Sequence, residues 1–280
     1  MKKLKLAERL GYGCYDRLLI VNCDDFGSSH SANIATVRGM SQGIATSASL
    51  MVPCPWAREA AHMSEGLPLG IHLTLTSEHK GYRWRPLTGG ASLRDHDGFF
   101  PSTARKVLEQ ATAADIIAEC TAQVKAALAW GVDVSHLDVH MDVLFKSIDL
   151  FDIYLSLASD FDLPVRLPSE STIESQGIPF RTQAHSRGIL SSEHLIYAWP
   201  RLTRDVLFEV IPGLPTGVSE IFVHPVLDSL ELQGYDDANA DIRMHDAECL
   251  IDSGIMNLLK SHGIKLVNYR RIRDIQRKIL

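Results

Sequence analysis

Four groups of side chains in this sequence have the types and spacing that polar catalysis uses. An acidic pair, Asp24-Asp25, follows the apolar run 18–21 within Asn22-Cys23-Asp24-Asp25-Phe26-Gly27. His72 lies inside Gly70-Ile71-His72-Leu73-Thr74-Leu75. His136, Asp138 and His140 alternate in one short segment, with Asp142 two residues further on. His224 ends Glu220-Ile221-Phe222-Val223 and precedes Pro225. Two imidazoles and a carboxylate are the donor set of a catalytic divalent-metal centre, where a further position stays open for water or substrate. A leftover Asp and His then suit a general base and a general acid. Plainer explanations exist for each group alone. An acidic pair after a strand serves as an Asx turn or a helix N-cap. A histidine in an apolar strand is commonly a satisfied core residue, alternating polar residues need only line a wet strand face, and His-Pro can simply stop a strand. Chemistry is favoured because four separate strand ends carry such residues.

Positioning them requires an alternation of strands and helices. Extended runs are expected at 18–21, 46–52, 69–75, 134–139, 165–167, 220–224 and 264–267, and helices at 31–42, 103–130, 148–160, 194–210 and 246–261. A long polar stretch, 76–102, interrupts the series, and the first residues suggest a short amphipathic helix. Parallel neighbours need helical crossovers, so this order implies repeated βαβ units. About seven units without a dividing linker suit a deformed, TIM-like (β/α) barrel formed by one domain, 1–280, with a doubly wound sheet as the other possibility. In either fold the site gathers at the carboxyl ends of the strands.

The chain has 280 residues, 45% hydrophobic and 22% charged, with a net charge of -6. An acidic balance disfavours nucleic acid as a partner, since phosphate binding calls for basic patches. No apolar run reaches the roughly 18 residues of a membrane span, and the lysines at the start lack an apolar stretch behind them. A cytoplasmic location with no membrane partner is therefore expected. Five cysteines without CxxC spacing read as free thiols.

The quoted segments resemble the YdjC-like (ChbG) carbohydrate deacetylase family. The resemblance rests on Asp24-Asp25-Phe26-Gly27 with Asn33, then Gly43-Ile44, Thr46-Ser47, Ser49 and Met51. It continues through Gly70-Ile71-His72-Leu73, His136-Leu137-Asp138-Val139-His140 and His224-Pro225 to Arg243, Glu248, Leu250 and Gly263-Ile264. It implies a deformed (β/α) barrel that removes acetyl groups from N-acetylated sugars with one divalent ion, Zn2+ or Mg2+. It implies Asp25, His72 and His140 as metal ligands, Asp24 as catalytic base and His224 as catalytic acid. Asp24 and Asp25 would point oppositely on a regular strand, so the backbone must turn there. Met141-Asp142-Val143 departs from the histidines and proline common in the family, which puts chitobiose-type specificity in question. Arg166, ending a strand, is expected to contact substrate hydroxyls or orient Asp24, and Trp84 to offer a stacking face for a sugar. A small carbohydrate is the expected partner, with a homodimer possible. O-deacetylation, another amide or ester as substrate, or a non-catalytic sugar-binding barrel are the alternatives.

Overall fold

A computed structural model of the chain describes residues 4–169 and 177–279. The strands are β1 (Arg17–Phe26), β2 (Ser47–Leu50), β3 (Leu69–Leu73), β4 (Val134–Val139), β5 (His194–Ile196), β6 (Gly217–Val223) and β7 (Lys265–Leu266). All pair in parallel, in the order β4-β3-β2-β1-β6-β5, with β7 joined to the start of β1. Helices surround this sheet, which curls into a half-barrel. The deformed (β/α) barrel expected from the alternation is the fold observed.

β1 is the axis of the architecture. Nine of its ten residues are buried, as a central parallel strand covered on both faces requires. It runs in register with β6 from Arg17↔Gly217 to Cys23↔Val223. Against β2 the register breaks between Cys23 and Phe26. Asp25 sits in that bulge at φ 59°. The turn that lets both acids serve one mouth therefore falls at Asp25 itself, one residue before Phe26-Gly27. Ser29 then caps the helix His30–Gln42 by accepting from the Ala32 N–H.

Four expectations change. Residues 194–210 are not one helix: 194–196 are β5, paired with 219–221 of β6, and a helix begins only at Thr203. Pro200 between them cannot donate to a helical ladder. Residues 165–167 make one bridge, Leu137↔Val165, instead of a strand. Pro164 and Pro168 flank it and remove ladder donors. The stretch 103–130 splits into Ala104–Gln110 and Ala113–Ala129, with Thr112 capping the second helix. The stretch 246–261 splits into Ala240–Leu250 and Ser253–Ser261, where Asp252 accepts from the Gly254 N–H.

The 76–102 stretch is pinned rather than loose. Glu119, fully buried, accepts from the N–H groups of Leu87 and Thr88 and from the Thr88 hydroxyl. At the amino end of the barrel the helix Tyr269–Gln276 packs with Leu6 and Leu10 on Leu18 and Ile20. All five cysteines are free.

Candidate active site

Beyond the carboxyl ends of β1, β3, β4 and β6 lies a cavity of about 510 Å³, within the usual range of roughly 300–1,000 Å³ for small-molecule sites. Asp24, Asp25, His72, His140, Arg166 and His224 all line it. Trp84 does not: it is 3% exposed, donates its indole N–H to the Thr76 carbonyl and lies edge-on behind His140. The stacking face expected of Trp84 is therefore closed off by its own burial. Tyr197, Trp199 and Phe222 form the aromatic wall of the cavity instead.

Three donor atoms converge on the floor. His72 Nε2 stands 3.5 Å from Asp25 Oδ1, His140 Nδ1 stands 3.4 Å from the same oxygen, and the two nitrogens are 3.3 Å apart. A triangle of that size has its centre about 2 Å from each corner, the length of a zinc–imidazole or zinc–carboxylate bond. Asp25 Oδ1 is buried without a hydrogen-bond partner, and buried orphan oxygens call for an occupant. The other faces of these groups are held by the protein. His72 Nδ1–H donates to Asp138 Oδ1 at 2.7 Å, since His72 and Asp138 are register partners on β3 and β4. His140 Nε2–H donates to Glu78 Oε1 at 3.0 Å, and Arg243 Nη1 donates to Asp25 Oδ2 at 2.9 Å. Carboxylates behind ligating imidazoles fix the tautomer and raise ligand basicity.

Electrostatics point the same way. Burial opposes charge on His72 and His140, but nearby carboxylates outweigh it. Asp138 lifts His72 well above the usual imidazole range, and Glu78 with Asp25 lifts His140 to about 9. Burial likewise opposes ionisation of Asp25, yet the two neighbouring imidazoles and the Arg243 charge hold it well below the usual carboxylate range. The carboxylates here draw positive charge onto the donors, and a cation answers the same demand.

Asp24, also buried, is clamped by Arg166. Nη1 reaches Asp24 Oδ2 at 2.6 Å and Nη2 reaches Oδ1 at 2.8 Å, a bidentate fork. Arg166 Nε donates to Glu220 Oε1 at 2.7 Å, and Glu220 is in turn held by Ser192 and Tyr269. Of the two roles open to Arg166, orienting Asp24 is the one these contacts fit. One Asp24 oxygen lies within 4.8 Å of a His72 nitrogen. Across the cavity, His224 packs edge-on to Trp199 and Phe222. Burial holds its pKa below the ordinary value, against the raising effect of Asp25 and Asp24. Its backbone N–H donates to Asp246, which Thr203 also holds.

His136 takes no part in the donor triangle. It is fully buried below the mouth, stacked on Tyr269 at 3.9 Å and bonded to Ser135. Gly70 makes that packing possible, because a Cβ there would come within 2.4 Å of the His136 ring. Glu78, Glu220 and Trp199 carry no signal in the sequence pattern, and Arg243 enters it only as part of a C-terminal motif. Arg243 lies 218 residues from the carboxylate it holds, and no local spacing announces such a contact.

At the carboxyl mouth of this open (β/α) barrel an Asp and two His converge, with a second Asp and a further His lining the same cavity. Residues 18–261 match the family model described as YdjC-like protein, and the chain belongs to that family. A carbohydrate deacetylase of Thermus thermophilus is 39% identical over 176 residues, 63% of this chain and 62% of that protein. A carbohydrate deacetylase of Thermoanaerobacter pseudethanolicus is 28% identical over 264 residues, 90% of this chain and 98% of that protein. A crystal structure from Enterococcus faecalis V583, described as a candidate cellobiose-phosphate cleavage protein, matches with TM-score 0.80 at 22% identity and covers 92% of this chain and 99% of the other. That last likeness is one of fold. Among the described residues no helix is long and apolar enough to cross a membrane.

Proposed function

We propose that this chain is a metal-dependent carbohydrate deacetylase that hydrolyses the N-acetyl group of an amino sugar or short oligosaccharide. The observation that carries the reading is the donor triangle of Asp25, His72 and His140, with its orphan oxygen, on the floor of a cavity walled by aromatic rings. The two imidazoles and one carboxylate fit Zn2+ best among common ions, because hard Mg2+ favours oxygen donors. When bound, such an ion supplies Lewis acidity, polarising a carbonyl and making water a stronger nucleophile near neutral pH.

The chain's own groups do the rest. Tyr197, Trp199 and Phe222 offer apolar ring surface to a pyranose. Asp24 accepts the proton of the attacking water; the Arg166 fork and Asn22 use three of its acceptor sites and leave room on Oδ2. As the C–N bond breaks, an amine leaves poorly as an anion, so His224 delivers a proton to the nitrogen. Acetate and a free amino sugar are the products.

Acetate release from a panel of N- and O-acetylated sugars, measured together with metal content, tests this. Release from N-acetyl sugars, abolished in His72→Ala along with bound metal, is expected. Full metal occupancy in His72→Ala would remove that ligand, and release from O-acetyl sugars alone would replace the amide reading with ester hydrolysis.

A further inference from the structure

We propose that Glu220 is a positioning residue for the general base: it fixes the guanidinium of Arg166, and through that fork the direction in which Asp24 faces the attacking water. The role of Asp24 is that of the deacetylase reading, on which this proposal rests.

β6 supplies the means. Strand side chains alternate between faces, so Val218, Glu220 and Phe222 share its inner face and His224 follows directly beyond. Val218 packs with Leu18 and Ile20 at the amino end, while Phe222 and His224 line the cavity. Glu220 lies between these levels, fully buried. Arg166 Nε donates to Glu220 Oε1 at 2.7 Å, and Arg166 Cζ lies 4.7 Å from the centre of the Phe222 ring. One strand thus holds the guanidinium by a hydrogen bond at one edge and an aromatic ring beside it. The opposite edge is the fork to Asp24. Asn22 also donates to Asp24, but to Oδ1 alone, so the fork sets the plane of the carboxylate. Glu220 Oε2 is itself held by the hydroxyls of Ser192 at 3.0 Å and of Tyr269. Tyr269 opens the helix Tyr269–Gln276 and stacks on His136.

A rival acceptor makes the anchor matter. Arg166 Nη1 stands 3.2 Å from Asp138 Oδ2. With Nε released, the guanidinium is free to turn toward Asp138 and open the fork. Charge balance does not call for Glu220, because Asp24 and Asp138 already set two carboxyl groups beside one guanidinium. Burial also raises the Glu220 pKa against the pull of Arg166. What Glu220 supplies is an acceptor at a fixed place.

Two variants separate place from charge in the full-length, zinc-loaded protein. Glu220→Gln keeps an acceptor at full reach for Arg166 and turns its NH2 to the two hydroxyls, which can accept. Glu220→Asp keeps the carboxyl group but is one methylene short. Acetate release, zinc content and thermal melts are measured for both, and their crystal structures are solved. Glu220→Asp is expected to lower kcat by about tenfold or more, since a shift of about 1 Å at a reacting group costs up to roughly 100-fold. Its KM and zinc content should stay near wild type, because the lost interaction acts in the transition state. Glu220→Gln should hold kcat within about threefold of wild type, with the fork to Asp24 intact. Wild-type kcat in a folded Glu220→Asp protein, or a loss in Glu220→Gln as large or larger, would overturn the proposal. If Glu220→Asp does not fold, Tyr269→Phe, which removes one holder of Oε2, takes its place: a severalfold fall in kcat at constant KM is expected, and an unchanged kcat overturns the proposal. Absence of acetate release from the wild-type protein would refute the deacetylase reading alone. The crystal structures then decide the positioning: a fork opened in Glu220→Asp and kept in Glu220→Gln supports it, and a fork intact in both overturns it.

Discussion

Replacing Asp138 by Asn probes how the buried layer of the barrel supports its mouth. Three donors converge on this fully buried carboxylate: His72 Nδ1 at 2.7 Å, Arg166 Nη1 at 3.2 Å and Asn22 Nδ2 at 3.3 Å. An amide keeps the volume but offers one acceptor pole and one donor pole. With its oxygen toward His72, the tautomer survives and only the charge that makes Nε2 a strong donor is lost. With its NH2 toward His72, Nδ1 must accept, the proton moves to Nε2, and one corner of the triangle stops being a donor. Loss of such support behind a ligating imidazole weakens metal binding by about 10- to 100-fold, or roughly 1.4–2.7 kcal/mol. The assay is competition for Zn2+ against a chromophoric chelator, with a thermal melt to show that the variant is folded. A folded Asp138→Asn protein that binds Zn2+ within about threefold of wild type would refute the reasoning that His72 depends on this carboxylate.

Three more outcomes are expected. Asp24→Asn should keep bound metal yet lose kcat by about two orders of magnitude or more; activity near wild type would take Asp24 out of the proposed chemistry. Gly70→Ala should lower stability by about 1–3 kcal/mol or prevent folding, because the new Cβ would sit 2.4 Å from the His136 ring; an unchanged Tm contradicts that packing. Acid should destabilise the fold through His136, whose pKa burial pushes down to about 3. Between pH 6.5 and 3 the unfolded chain binds that proton and the native state does not, so stability falls as pH drops, by about 1.4 kcal/mol per unit. In the metal-free protein, where this profile is to be measured, the raised pKa values of His72 and His140 contribute stability that is already complete below 6.5, so they do not mask this slope. His136→Gln should flatten the urea-derived stability profile between about pH 6.5 and 5 by about one proton, and an unaltered slope would exclude His136 as the source.

Much of the frame was legible from the order of residues. Apolar runs ending in Asp24, His72, His140 and His224 mark strand ends, since strand periodicity and the residues that stop a strand are local properties. Local pattern misleads where it competes with the chain's surroundings. Residues 194–196 look helical together with 197–210, but the open edge of β6 recruits them as a strand. Residues 165–167 look like a strand, but their flanking prolines leave one bridge.

By itself, then, the sequence determined an alternating α/β chain and the identity of the polar groups at its strand ends. Tertiary structure decided which of those groups meet. His136 and His140 lie four residues apart on one segment, yet the first packs beneath the mouth on Tyr269 and the second reaches Asp25. A register shift with Asp25 at positive φ turns two adjacent acids toward one cavity. Glu78, Asp138, Arg166 and Arg243 arrive from distant elements to hold them. Periodicity is set by neighbours along the backbone, whereas the partner of a buried charge is set by strand register and barrel curvature, which emerge only when the whole sheet curls around it.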